Sequence, residues 1–239
     1  MYLPKFIRKW RKQNAMLHFY KSIVGKGDLC FDIGANKGER ADCFLKLGAK
    51  VIVIEPQSSC FNLLEKKYQN YANVELLKYA VGSTEREDTL MICDETDECS
   101  TLSKEFVDIY SNFSGLNWGK TEQVKVVTLE GLCQRFGTPN CCKIDVEGYE
   151  SAVFMGLNTP IKWITFEFNR PLLHDTIKSL EILSAIGNYQ CNYIKYEFMK
   201  LALPEWMPID QFRQNLEQII SPDILTGEIV VHYLGKPME

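Results

Sequence analysis

A chain of 239 residues, 46% apolar and 24% charged, is long enough to bury a sizeable core and has the balance of an ordinary globular α/β domain. No stretch of about 18 apolar residues occurs, which excludes a membrane-spanning helix, and the basic residues Lys5, Arg8, Lys9, Arg11 and Lys12 are not followed by the apolar run and small-residue cleavage site of a secretory signal. A net charge of −4 and a pI of about 5.6 argue against nucleic acid as the substrate, because phosphate binding needs a basic face.

Residues 3–22 have helical spacing, with Leu3, Phe6, Ile7, Trp10 and Leu17 roughly on one face and basic side chains between them. Such a helix can lie on an anionic membrane surface; the expectation here is that it packs Phe6 and Trp10 against the domain and covers the site. Residues 1–27 therefore form an N-terminal helical extension, broken at Gly25-Lys26-Gly27. Leu29 to Ile33 reads as a buried strand, Gly34 to Gly38 as a turn, and Glu39 to Leu47 as a helix closed by Gly48. Val51 to Glu55 is a second buried strand without polar alternation, as in parallel sheets. Pro56 helps to open a helix running to about Asn70, and Val74 to Tyr79 is a third strand. This β-α-β-α-β order implies a parallel sheet with right-handed crossovers.

Residues 82–127 break the rhythm. Residues 82–99 are acidic and polar apart from Leu90-Met91-Ile92, residues 108–123 are rich in Asn, Ser and Gly, and Val124 to Val127 favours strand. The reading is a hairpin-like insertion with a mobile loop. Cys141 to Asp145 resumes as a strand, Tyr149 to Gly156 as a short helix, Ile161 to Phe168 as a strand and Asp175 to Ile186 as a helix ended by Gly187. Tyr189 to Ile194 and Glu228 to Tyr233 form a strand pair, with a helix near Ile209 to Ile220 between them. The expected fold class is α/β: one domain over residues 1–239 with a doubly wound, Rossmann-like sheet, mostly parallel with an antiparallel C-terminal strand, plus the N-terminal helix and the insertion. The nine cysteines include no C-x-x-C pair and several sit in apolar runs, so they read as reduced thiols of a cytoplasmic protein and no metal site is expected.

Asp32-Ile33-Gly34-Ala35-Asn36-Lys37-Gly38 lies between a strand and a helix. Glycines there let the backbone turn tightly and approach a ligand that a Cβ would block, at the place where doubly wound sheets bind nucleotides. In the dinucleotide fingerprint the second glycine faces a pyrophosphate; here Asn36 stands in its place. The loop thus suits an adenosine ligand without phosphates better than a nicotinamide dinucleotide. Asp32 would repel phosphate but attract the ammonium or sulfonium of S-adenosylmethionine. Glu55, ending the second strand, can accept both ribose hydroxyls, and Tyr79-Ala80-Val81 follows the third strand where adenine would lie. Asp145, at the end of the strand beside the first, would face the reacting end of the cofactor, with Glu147 and Glu167 nearby. Carboxylates crowded in one pocket raise one another's pKa, which tunes a general base.

With Phe31 to Gly38, Glu55-Pro56, Ala80-Val81-Gly82, Val127-Thr128-Leu129 and Lys143 to Glu150, the chain resembles the FkbM family of methyltransferases over about residues 28–170. The resemblance implies a class I methyltransferase sheet, S-adenosylmethionine as cofactor and O-methylation of a sugar or natural-product hydroxyl. The cofactor set is then Asp32, Gly34, Ala35, Asn36, Gly38, Glu55, Pro56, Ala80, Val81, Ser100 and Asp145. In similar proteins a Ser-rich segment approaches the cofactor, which brings in Ser100. Candidate catalytic groups are Asp145, Glu147, Glu167 and His174. A metal-assisted variant would use Asp145, Glu167 and Asn169. The partner is a small-molecule or glycan acceptor, chosen by the flanking residues and the 82–127 insertion. The alternatives are a nicotinamide-dependent oxidoreductase on the same fold and a noncatalytic S-adenosylmethionine-binding module.

Overall fold

The computed structural model describes residues 5–195 and 199–235. The first helix, α1, covers Lys5–Tyr20; the expected residues 3 and 4, and the side chain of Phe6, lie outside what is described. Strand β1 (Leu29–Ile33), helix α2 (Glu39–Lys46), strand β2 (Lys50–Ile54), helix α3 (Ser58–Tyr68) and strand β3 (Val74–Leu77) follow as the hydrophobic runs require. Later come β7 (Cys141–Ile144), α6 (Glu150–Met155), β8 (Trp163–Asn169), α7 (Leu173–Ile186), β9 (Asn188–Ile194), β10 (Met207–Pro208) and β11 (Thr226–Gly235).

These strands form one eight-stranded sheet in the order β10-β9-β11-β8-β7-β1-β2-β3. Strands β3, β2, β1, β7 and β8 are parallel neighbours, and β11 enters antiparallel between β8 and β9. Successive residues of the central strands feed opposite faces, so Phe31, Ile33, Ile52 and Ile54 join one core and Cys30, Val51 and Val53 the other. Helices α1 to α3 cover the second of these faces through Met16, Phe44 and Leu64. The chain leaves β1 toward β2 and β3, then returns to place β7 on the other side of β1. The carboxyl ends of β1 and β7 therefore border the crevice where the winding direction reverses.

Two expectations are corrected. The 82–127 segment does pair as a hairpin, β5 (Arg86–Ile92) against β6 (Lys120–Thr128), but these strands join β4 (Ala80–Gly82) in a separate three-stranded sheet with its own small core of Leu90, Ile92, Val124 and Val126. The stretch read as a mobile loop carries a helix, α4 (Lys104–Ser114). Phe106 and Tyr110 lie one turn apart on it with their rings 4.4 Å apart, and Ser103 caps it by accepting from the Phe106 amide. The many Asn and Ser residues concealed that spacing. Between β6 and β7 runs α5 (Leu129–Phe136). Second, the helix expected over 209–220 is two short ones, α8 (Ile209–Gln214) and α9 (Leu216–Ile219). Asn215 separates them, its side chain bonded back to the Gln211 carbonyl.

Candidate functional site

The carboxyl ends of β1, β2 and β7 open into a cavity of about 320 Å³. Its floor is formed by Gly34 to Lys37 of the βα turn. The amides of Gly34 and Ala35 donate to the Ile54 carbonyl, and that of Asp145 donates to Ile33, which draws the three strand ends together. Gly34 has φ +72°, and a Cβ on it would overlap the carbonyl oxygen of Asp145. Asn36 also adopts a left-handed conformation, φ +48°, one that Asn tolerates better than most residues.

Two buried acids flank this turn. Asp32 accepts from the Ala41 amide at 2.9 Å. Burial pushes its pKa from 3.8 up to about 6, while Lys143 and Arg40 restrain the rise. Glu55 accepts from the Asn36 amide at 2.7 Å with one oxygen and from the Gln57 amide at 2.8 Å with the other. Burial raises its pKa from 4.5 to about 7 against those two hydrogen bonds. Each oxygen of Glu55 retains a lone pair for a ligand hydroxyl.

At the other end, one oxygen from each of Asp145, Glu147 and Glu167 lies within 4.8 Å of the others. Glu147 is held there by a backbone turn in which it and Gly148 are both left-handed, φ +55° and +80°. Thr101 pins the turn, its hydroxyl donating to the Glu147 carbonyl at 2.8 Å. Desolvation, then the charges of Glu167 and Asp145, push the Glu147 carboxyl well above the ordinary range. Such a trio suits a shared proton or an oxygen-seeking divalent cation. Asn169, expected as a metal ligand, is otherwise engaged: its oxygen accepts from the Tyr110 hydroxyl and its amide donates to Glu167. Glu147 takes its place.

Beneath the trio runs a buried ion network. Lys143 donates to Asp145 at 3.1 Å and lies 3.8 Å from Glu228, which also pairs with Arg40. Burial disfavours the Lys143 charge, but Asp145 and Glu228 outweigh it and the ammonium is held more firmly than usual. Burial likewise opposes ionised Glu228, yet Arg40 and Lys143 pull its pKa below the ordinary value.

Of the expected residues, Asp32, Gly34, Ala35, Asn36, Glu55, Pro56, Ala80, Val81, Ser100, Asp145, Glu147 and Glu167 all line the cavity. Gly38 does not; it caps α2 in a left-handed conformation. His174 is not in the lining either: it is largely exposed on α7 and paired with Glu105. Trp10, expected to pack inward, is 62% exposed. Sequence reasoning missed Arg40, Asp97 and Glu228. Asp97 takes a hydrogen bond from the Asn36 side chain and an ion pair from Lys37, closing the acidic loop over the turn. No local pattern marks any of the three.

The cavity fits S-adenosylmethionine: two buried acids stand ready for its cationic and hydroxyl groups, and the Gly34, Ala35 and Asn36 amides are already bonded within the protein and so are not offered to a phosphate. Among solved structures, the chain is similar to precorrin-6y C5,15-methyltransferase from Geobacter metallireducens, at 12% identity over 92% of this chain and 86% of that one with a TM-score of 0.46. It is also similar to fibrillarin from Aeropyrum pernix with bound S-adenosyl-L-methionine, at 9%, 93%, 76% and 0.47. A third is an rRNA methylase from Streptococcus thermophilus, at 9%, 91%, 93% and 0.45. No curated protein matches the chain. Residues 32–215 match the model of the methyltransferase FkbM domain, most of the chain and both motif regions. The chain therefore belongs to the FkbM family of S-adenosylmethionine-dependent methyltransferases, not to the nicotinamide-dependent oxidoreductases weighed beside it.

Proposed function

We propose that this methyltransferase transfers the methyl group to a hydroxyl oxygen of a sugar or other small natural product, in the cytoplasm, and that residues 1–239 act as one catalytic domain. The observation that carries the reading is the convergence of Asp145, Glu147 and Glu167 at the end of the cavity away from Glu55. A neutral hydroxyl needs a base as it attacks, and a carboxylate with a raised pKa is matched to that work. Nine free thiols, eight of them buried, suit a reducing compartment. Among the described residues no helix is long and apolar enough to cross a membrane.

When bound, the cofactor supplies a sulfonium methyl already activated for in-line displacement. Glu55 would accept the ribose hydroxyls, Asp32 would balance the cationic methionyl end, and Ala80 and Val81 would border the adenine. Glu147 would take the proton of the acceptor hydroxyl. Asp145, braced by Lys143, orients the reacting groups, and alignment of this kind is worth up to about 7–11 kcal/mol. The Lys143 ammonium already neutralises charge in the trio, which favours a metal-free reaction. The β5–α4–β6 insertion and α1 border the open side and select the acceptor. Three carboxylates at the reacting end and a net charge of −4 disfavour a nucleic-acid acceptor.

Incorporation of labelled methyl into a panel of hydroxylated sugars and polyketide-like molecules, with RNA as a comparison and with EDTA present, tests the reading. Product from RNA alone, or from no hydroxyl, would overturn it; so would loss of activity to EDTA for the metal-free step. Glu147→Gln is expected to lower kcat by about 10²–10⁴-fold while leaving cofactor affinity intact. Equal loss of both would make the residue structural.

The raised acids also set a pH dependence. Asp32 and Glu55 must be ionised to serve the cofactor, so affinity should fall by up to about tenfold per pH unit as each is protonated, below about 6 and about 7 respectively. For the ligand-free chain the sign is opposite. Above the unfolded values near 3.8 and 4.5 the unfolded chain has released these protons and the folded one retains them, so stability declines as pH rises through about 6 and 7. Calorimetric titrations and melting curves across that range check both slopes.

A further inference from the structure

Helix α1 is divided between two environments. Its second half is core: Met16, Phe19 and Tyr20 are buried against α2 and the sheet. Before it, Trp10 is 62% exposed and Arg11 and Lys12 are exposed beside it. Every charged side chain before Asp28 is basic, although the whole chain is net acidic. An indole is amphipathic and settles at the depth of lipid head groups, and flanking Lys and Arg residues pair with anionic ones. The helix also adjoins the site, for Lys12 lines the mouth of the cavity and is paired with Glu39 at 3.3 Å.

We propose that Trp10 and the basic residues around it seat α1 on an anionic lipid surface. Docked in this way, the protein rests as a peripheral body with the cavity mouth beside the bilayer, where an amphiphilic acceptor would be concentrated. A polyanion such as RNA would meet the same basic helix, but it offers no apolar layer in which the indole could settle. The docking is independent of which atom is methylated, so its test stands apart from that of the reaction.

The full chain is sedimented with vesicles of phosphatidylcholine alone and of phosphatidylcholine and phosphatidylglycerol in equal parts, at low and high salt, and titrated with single-stranded RNA. Binding is expected only to the anionic vesicles, weakening with salt, with a blue shift of tryptophan emission that disappears in Trp10→Ala. Arg11→Glu, a change on the exposed face, is expected to cut the partition about fivefold or more. Circular dichroism of both variants verifies that they fold. Equal binding to both vesicle types, no binding to either, a partition untouched by both substitutions, or capture by RNA without capture by vesicles would each overturn the proposal.

Discussion

Replacing Glu55 with alanine is expected to weaken S-adenosylmethionine binding by about 100-fold or more. A hydrogen bond to a charged group contributes about 1.5–3 kcal/mol, and the proposed role of Glu55 gives it two to the ribose. The residue also does local work, because its two oxygens receive the Asn36 and Gln57 amides on either side of the cofactor turn. Alanine leaves both amides without an acceptor and loosens the turn as well as the ligand. Glu55→Gln retains one oxygen and should fall between the two. Titration calorimetry measures the affinity and thermal melting the fold; an alanine variant that binds normally would remove the residue from the site.

The second large effect is expected at Glu228, far along the chain on β11. This side chain is fully buried and is the shared counter-ion of Arg40 and Lys143. Glu228→Gln removes the charge that Arg40 and Lys143 share in a low-dielectric layer and leaves Asp145 alone to balance Lys143 there, and breaking a buried pair in this manner costs about 3–5 kcal/mol. The urea midpoint should drop with the slope unchanged. Adding Lys143→Met removes one of the two cations that Glu228 balanced, so the double variant is expected to lose less than the sum of the single ones. Losses within about 0.5 kcal/mol of additivity would show that the pair is not coupled.

Local patterning carried the first half of the fold. The apolar runs at 29–33, 51–55 and 141–145, punctuated by glycines, determine central parallel strands because a strand covered on both faces has no use for polar alternation. The Asp32 to Gly38 turn and the Glu55 strand end were legible for a related reason: a tight βα turn tolerates few residue types. Even Glu147 and Glu167 could be placed near Asp145, since strand ends in a known order converge.

Other features depended on contacts between segments far apart in the chain. Helix α4 hid among Asn and Ser because it is held by tertiary contacts, Phe106 against Tyr110 and Trp118 and the Tyr110 hydroxyl on Asn169, more than by propensity. His174 looked like a base in sequence but faces solvent, since its position on α7 is set by the packing of Leu173 and Leu180 into the core. Asn169 was spoken for by Tyr110, and Glu228 by Arg40, across separations that no spacing rule covers. The sequence by itself determined the strand order around the cofactor turn and the acids that flank it, because these are dictated by short-range backbone geometry and burial. Only the tertiary structure decided which charges pair, which acid is pushed up, and which face of α1 meets water, because Coulomb and desolvation energies depend on distances that arise when remote segments pack together.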